Sequence, residues 1–267
     1  MIENNYKEFL DFAVETARAA GALQLNYFRG SSLEISTKQN DYDVVTAADK
    51  VSENYIIESI RKRFPTHAIL TEESGYVAEG NDYRWVIDPL DGTTNFSQGL
   101  PIFSVSIALE FKGEPIVGVV FAPYLDELFQ ALKGGGAFFN GNPVRCSSKC
   151  RIEESVVATG IPYDKNQNPD NNIKELSKVA PKVRGLRRLG SAAMDLCYVA
   201  AGYFDAYWEL NLNRWDVSAG TLIAQEAGAK IYSIRENRNH SILAVAPGIS
   251  EKMLEILLTP DLHNAEH

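Results

Sequence analysis

Apolar and polar positions change period several times along this chain, and each change marks an element. From Tyr6 to about Phe28, the residues Phe9, Phe12, Ala13, Thr16, Ala17, Ala20 and Leu23 fall close to a 3.6-residue repeat. That spacing predicts an amphipathic helix, broken at Gly30. The polar segment from Ser31 to Asp43 has loop or hairpin character. Val44 and Val45 then lead into a second predicted helix through Val51, Tyr55, Ile56 and Ile60 to Arg63, with Pro65 just beyond it. Ala68-Ile69-Leu70 reads as a short strand, and Trp85-Val86-Ile87 as another that ends at Asp88. Phe103 to Phe111, Ile116 to Ala122 and Glu127 to Leu132 follow as β segments, punctuated by Gly113 and Pro123.

A second half begins near Val144. It contains a strand from Ser155 to Gly160 and a helix from Ile173 to Val183. A further helix is predicted from Ala192 to Ala201 with Cys197 on its apolar face, then a strand from Ala206 to Leu210. Another helix, Val217 to Ala227, is closed by Gly228, with Asp216 in N-cap position. Strands Lys230 to Ile234 and Ser241 to Ala246 and a helix from Ser250 to Leu258 complete the pattern. No repeat or low-complexity linker interrupts it. The expectation is one unit of two closely packed α/β lobes, about 1–143 and 144–267.

Composition narrows the class. The 267 residues are 45% hydrophobic and 23% charged, ordinary values for a globular protein. No apolar run approaches the ~20 residues that span a bilayer. The start, Met1-Ile2-Glu3-Asn4-Asn5, lacks a signal-peptide pattern. The expectation is a cytoplasmic protein with no membrane partner. Cys146, Cys150 and Cys197 form no zinc spacing and read as reduced thiols. A net charge of −9 argues against nucleic acid as a partner.

The candidate chemistry gathers around Trp85-Val86-Ile87-Asp88-Pro89-Leu90-Asp91-Gly92-Thr93-Thr94-Asn95-Phe96. Asp88 and Asp91 arrive together at a strand end, and clustered carboxylates favour a hard divalent cation such as Mg²⁺. Gly92 allows close backbone approach, and Thr93, Thr94 and Asn95 are residue types that start helices, where free N–H groups favour phosphate. A bound cation would also reverse the local field in an acidic chain. Glu72 ends a strand as Asp88 does, so neighbouring strands would present both acids at one edge. Asp49 lies in the first turn of a helix; taken alone, that segment leaves open whether Asp49 only caps, and the same holds for Asp216. Lys133-Gly134-Gly135-Gly136-Ala137 reads as a flexible turn, because no helix follows it. Asp164, Asn166, Asn168 and Glu175 fit a calcium loop in part, but Pro169 stands where that loop needs glycine.

With these segments in place, the chain resembles the inositol monophosphatase family over nearly its whole length. The signature from Trp85 to Phe96, a second one in Trp215-Asp216-Val217-Ser218-Ala219-Gly220, and the segments Glu72-Glu73 and Thr46-Ala47-Ala48-Asp49 carry the likeness. The resemblance implies a layered α/β sandwich, alternating α-β-α-β-α, in a lithium-sensitive, Mg²⁺-dependent homodimer. It implies that Glu72, Asp88 and the Leu90 carbonyl hold one Mg²⁺ and that Asp88, Asp91 and Asp216 hold a second, with a weaker third on Glu72. Gly92 and Thr93 would bind phosphate through backbone N–H groups, with Thr94 beside them. Thr93 with Asp49 would orient the attacking water and Glu72 would help deprotonate it. Ser191, Ala192 and Glu209 match positions lining the sugar-alcohol pocket. The segment from Ile234 to Ser241 departs from the family pattern, being short and polar.

The implied reaction is hydrolysis of inositol monophosphates to inositol and phosphate by metal-activated water. Fructose-1,6-bisphosphatase and 3′-phosphonucleotide phosphatase are the alternatives within the superfamily; a catalytically silent dimeric scaffold is the alternative outside it. Other phosphatase chemistries lack their residues. His67, His240, His263 and His267 are scattered, no Cys has an Arg six positions on, and Pro89 and Leu90 interrupt any D-x-D.

Overall fold

The computed structural model describes residues 2–30, 35–37, 44–78 and 82–259. Helix α1 (Ile2–Leu25) is followed by a two-stranded antiparallel ribbon, β1 (Ile35–Thr37) and β2 (Val44–Thr46), and by α2 (Ala47–Arg63). The periodic segment thus begins earlier than the sequence suggests and ends five residues before Gly30, in a short turn. The ribbon bears out the hairpin character of its segment where it is described. His263 and His267 lie outside the described residues.

An eight-stranded sheet comes next. Its strands are β3 (Ala68–Thr71), β4 (Gly75–Ala78), β5 (Tyr83–Asp91), β6 (Ser104–Phe111), β7 (Glu114–Ala122), β8 (Glu127–Leu132), β9 (Gly136–Phe139) and β10 (Asn142–Val144), with α3 (Thr93–Ser97) after β5. The spatial order is β10-β9-β8-β7-β6-β5-β3-β4, antiparallel except where β3 lies parallel to β5. The remaining chain gives β11 (Val156–Thr159), α4 (Ile173–Val179), β12 (Gly185–Arg187), α5 (Ala192–Ala200), β13 (Ala206–Leu212), α6 (Arg214–Glu226), β14 (Lys230–Ser233), β15 (His240–Val245) and α7 (Ser250–Leu258). Its five strands are ordered β12-β11-β13-β15-β14. The sequence pattern misses β4, β9, β10 and β12, which are edge or near-edge strands of three or four residues with little alternation.

Strand alternation divides the buried residues among three apolar layers. Trp85 and Ile87 point with Ile69 and Ile107 toward Ala13, Ala17, Ile56 and Ile60 of α1 and α2. Val86, between them, faces the other way, into a middle layer with Leu196, Ala219, Ile223 and Tyr207. Val157, Trp208 and Leu243 pack against Val179 of α4 and Met253 of α7. Each large side chain taken fully out of water stabilises the fold by roughly 1.5–3 kcal/mol. The result is the alternating α-β-α-β-α sandwich, with α5 and α6 pressed between two sheets.

Three local features place the site. First, β5 does not stop at Asp88. It continues to Asp91 through a bulge, so that Asp88 lies opposite Ser106 and Asp91 opposite Ser104. Three steps on β5 therefore match two on β6. The Pro89 carbonyl inside the bulge accepts hydrogen bonds from Gln24 (2.6 Å) and Ser52 (2.8 Å), both fully buried on α1 and α2. Second, the helix after the motif is a single turn. Its N-cap is Gly92 at φ 90°, not a Thr or Asn side chain. A Cβ at Gly92 would stand 2.9 Å from the Ile102 carbonyl, so only glycine fits this left-handed position. Third, α6 begins at Arg214, three residues before the expected start at Val217. Asn213 is its N-cap, and Asp216 sits at the third helical position in a capping box.

The turn at Lys133-Gly134-Gly135 leads straight into β9, and the amides of Gly134 and Gly136 donate to the Glu226 carboxylate on α6. Ile173 to Val179 is helical, and a 3-10 turn, Ala180–Lys182, replaces the rest of the expected helix because Pro181 cannot continue it. No described helix is long and apolar enough to cross a membrane.

Candidate active site

Thr71 of β3 lies opposite Ile87 of β5, and the Glu72 amide donates to the Ile87 carbonyl at 3.2 Å. Glu72 therefore leaves the sheet level with Asp88. Its neighbours are fastened by Glu53, a buried residue of α2. One oxygen of Glu53 accepts from Thr71 Oγ1 (2.8 Å) and from the amides of Glu73 and Ser74; the other accepts from Ser74 Oγ (2.7 Å). Asp88 accepts from the Leu90 amide at 3.0 Å, which turns the chain through the bulge.

Asp91 is held by the start of α5. The Ser191 hydroxyl and the Ala193 amide (2.9 Å) donate to Asp91 Oδ2, and Ser191 also caps α5. The Asn95 side-chain amide reaches the Leu189 carbonyl (2.7 Å), so the signature segment grips the loop before α5 at two points. Thr93 Oγ1 lies 3.0 Å from Asp49 Oδ1 and 2.9 Å from the Leu90 carbonyl. Asp49 is itself fixed by the Thr46 amide (2.8 Å) and hydroxyl (2.6 Å), which completes the capping box of α2.

These groups open on a cavity of about 290 Å³. Glu72, Asp88, Leu90, Asp91, Gly92, Thr93 and Asp216 line it, together with Ser191, Ala192 and Glu209. Every predicted site residue except Asp49 and Thr94 lines this cavity. Asp49 lies buried behind Thr93, whereas Thr94 is exposed and its carbonyl turns back to the Gln98 amide. Sequence reasoning missed Arg188, Asn213, Asn239 and the segment 160–164, which complete the wall. Gly160 carried the one readable signal. A Cβ there would fall 1.8 Å from Glu209 Oε2, so the bare backbone makes room for that carboxylate.

The electrostatics are lopsided. Burial pushes the Asp88 carboxyl well above the usual range, and Glu72, Asp91 and Asp216 push it further. Burial also raises Asp91 to about 6, against the pull of its bonds from Ser191 and Ala193. Asp216 is raised well above its ordinary value by burial and by Glu72, although the Asn213 amide (2.6 Å) bonds it. Asp49 reaches about 6, again mainly through burial. Across the cavity, burial brings Glu209 to about 7, while the Tyr207 hydroxyl, donating at 2.5 Å, draws it back.

Among the described residues, the hydrogen bonds at Asp88, Asp91 and Asp216 involve backbone amides, Ser191 and the Glu72 carboxyl, and none comes from Lys or Arg. Such a set of hard oxygen donors, packed against its own repulsion, fits a divalent cation of the Mg²⁺ type. Among the described residues, no three carboxylate, thiol or imidazole groups already close on one point.

Comparisons with known proteins agree with this geometry. A family model described as the inositol monophosphatase family matches residues 5–265. A protein of Pasteurella multocida named Nus factor SuhB is 44% identical over 92% of this chain and 94% of its own length. An inositol-1-monophosphatase of Caulobacter vibrioides is 42% identical over 91% of this chain and 98% of its own. Among solved structures, the inositol monophosphatase of Anabaena (Nostoc) superposes with a TM-score of 0.86 at 41% identity, covering 97% of this chain and 98% of that one.

Proposed function

The chain belongs to the inositol monophosphatase family, a family of phosphatases, and on that premise we propose that it is a Mg²⁺-dependent phosphomonoesterase acting on inositol monophosphates. The observation that carries the reading is a set of buried, mutually repelling carboxylates, Asp88, Asp91 and Asp216, lining one cavity of about 290 Å³ with Glu209. Glu72, Asp88, the Leu90 carbonyl, Asp91 and Asp216 would hold two or three ions. Mg²⁺, when bound, supplies a water acidic enough to ionise near neutral pH and charge to stabilise the departing alkoxide.

The chain's own residues orient and shuttle protons. Thr93, 3.0 Å from the fixed Asp49, directs the attacking water, and Glu72 accepts its proton. The backbone N–H groups of Gly92 and Thr93 bind the phosphate. Such a reaction needs positioning and charge neutralisation and no covalent nucleophile. Glu209 accepts a hydrogen bond from a polyol hydroxyl and repels a second phosphate, which favours a monophosphate over fructose-1,6-bisphosphate.

Phosphate release should be measured from inositol-1-phosphate, fructose-1,6-bisphosphate, a 3′,5′-bisphosphonucleotide and an aryl phosphate, with and without Mg²⁺ and millimolar lithium. Inositol-1-phosphate should be turned over best, with inhibition by lithium. Glu209→Ala should lose roughly 10- to 150-fold in kcat/KM on it, the worth of a charge-assisted hydrogen bond, and much less on the aryl phosphate. An equal loss on both would remove Glu209 from the pocket. Light scattering should give twice the chain mass if the protein is the homodimer proposed here. Absence of turnover on every ester would leave the silent-scaffold reading.

A second role is favoured by the relatives named Nus factor SuhB at 42–44% identity. A role of that kind, carried by surface outside the cavity, should survive Asp88→Asn, whereas hydrolysis should not.

A further inference from the structure

Glu110 is fully buried on β6, outside the cavity, and its carboxylate joins two elements of the candidate site. Its Oε1 accepts from Arg214 Nε (2.6 Å) and from Ser218 Oγ (2.8 Å), both on α6. Its Oε2 accepts from Arg84 Nε (3.0 Å) and a terminal guanidinium nitrogen of Arg84 (2.6 Å). Arg84 lies on β5, the strand that carries Asp88 and Asp91. Arg214 also donates to the Gly113 carbonyl in the turn after β6.

The spacing gives this network its meaning. Arg214 and Ser218 are four apart and share one face of α6, and Asp216 stands midway between them in sequence. At about 100° per residue, Asp216 emerges roughly 200° around the helix, on the opposite face. One oxygen of Glu110 thus grips the back of the first turn of α6 while Asp216 projects from its front. A grip on two residues of one face fixes rotation about the helix axis, which a single contact would leave free. Glu53 fastens the flanks of Glu72 in the same manner.

We propose that Glu110 is a positioning residue for the cation site: through Arg214 and Ser218 it sets the rotation of α6, and through Arg84 it ties that setting to β5, so that Asp216 meets Asp88 and Asp91. This rests on the assignment of Asp216 as a ligand. Neither Glu110 nor Arg84 lines the cavity, so the effect is indirect and its signature is metal affinity. Groups that orient metal ligands from outside commonly change affinity by roughly 10- to 100-fold; one further step removed, roughly tenfold is expected.

The test is calorimetric titration of the metal-free full chain with Mg²⁺, and separately Mn²⁺, with thermal melting recorded for each variant. Glu110→Gln should weaken cation binding about tenfold, and Arg214→Met and Ser218→Ala about threefold each. Asp205→Asn breaks another ion pair of a buried acid, with Lys149, just before β13 of the other sheet, and controls for general destabilisation. It should lower the melting temperature and leave the affinity unchanged. If Glu110→Gln does not fold, Arg214→Met and Ser218→Ala carry the test. Unchanged affinity in the folded variants, with binding lost in Asp216→Asn, overturns the proposal alone. Unchanged affinity in Asp216→Asn removes the ligand assignment, and the proposal falls with it.

Discussion

The two walls of the cavity handle acidic residues in opposite ways. On the far wall, the short polar segment between β14 and β15 reaches over the loop that follows β11. Arg235 bonds both oxygens of Asp170 and one of Glu175, and Arg238, only 6% exposed, bonds Asp164 at 2.7 Å and the Asp170 carbonyl. Asp164, Asp170 and Glu175 each have an arginine there, whereas Glu209 has the Tyr207 hydroxyl. On the near wall, Asp88, Asp91 and Asp216 have amides, a serine hydroxyl and one another. An acid that meets an arginine in the fold has its charge answered within the chain. An acid buried without one raises its neighbours' pKa values until a cation from outside answers it. The contrast separates acids that shape the pocket from acids poised for a cation.

The largest break in that contrast is Asp88→Asn. Turnover should fall by about 10²–10³ or more, the scale of losing one preorganised electrostatic group. Without Mg²⁺, the variant should melt higher than the wild type, since one like charge has gone. Activity within tenfold of wild type would take Asp88 out of the site.

The same repulsion should appear as a pH dependence of stability. Asp91 titrates at about 6 in the fold against 3.8 when unfolded. Between those values the folded chain binds more protons, so stability is full below about pH 4 on this account and falls as pH rises through 6. The shift of two units bounds the effect at about 3 kcal/mol for this residue. The metal-free protein should therefore melt progressively lower from about pH 4 to about pH 6 and level off above it, and saturating Mg²⁺ should flatten the slope. A slope that Mg²⁺ leaves intact would place the cation elsewhere.

Arg238→Met breaks the other wall. Loss of its charge-assisted bonds should cost about 2 kcal/mol, roughly 4–8 °C in melting temperature. KM for a polyol phosphate should rise, while kcat on an aryl phosphate and Mg²⁺ affinity stay near wild type. Weakened Mg²⁺ binding would show that the two walls are not separable.

How legible each wall is in the sequence follows from how it is built. Asp88, Asp91, Gly92 and Thr93 fall within six consecutive positions, and Glu72 joins them through one strand pairing, so local pattern was enough. The 3.6-residue period of α1 and the nearly continuous apolar runs of β6 and β7, buried on both faces, likewise exposed the layers. The far wall draws on 160–164, Arg188, Asn213 and Asn239, brought together by side-chain bonds between distant polar segments. Nothing periodic marks such residues. Glu53 and Glu110 escaped notice for a related reason. Each looks like an ordinary surface acid in sequence, and only the fold shows what its oxygens receive. The N-caps at Gly92 and Asn213 were misplaced by one to three residues, where hydroxyl and amide side chains compete for the same role.

Whether Asp88 and Asp91 can share a site is a question of counting. In a regular strand, residues three apart point to opposite sides, since each step reverses direction. The extra residue between them changes an odd interval into an even one, and both carboxylates come to the same cavity. Removing one residue there would restore even parity by another route. Yet it would straighten the strand, set the carboxylates about 7 Å apart along it, and lose the turned carbonyl of Leu90. Pro89 and Leu90 thus matter first as a number of residues, pinned by Gln24 and Ser52, and only then as particular side chains.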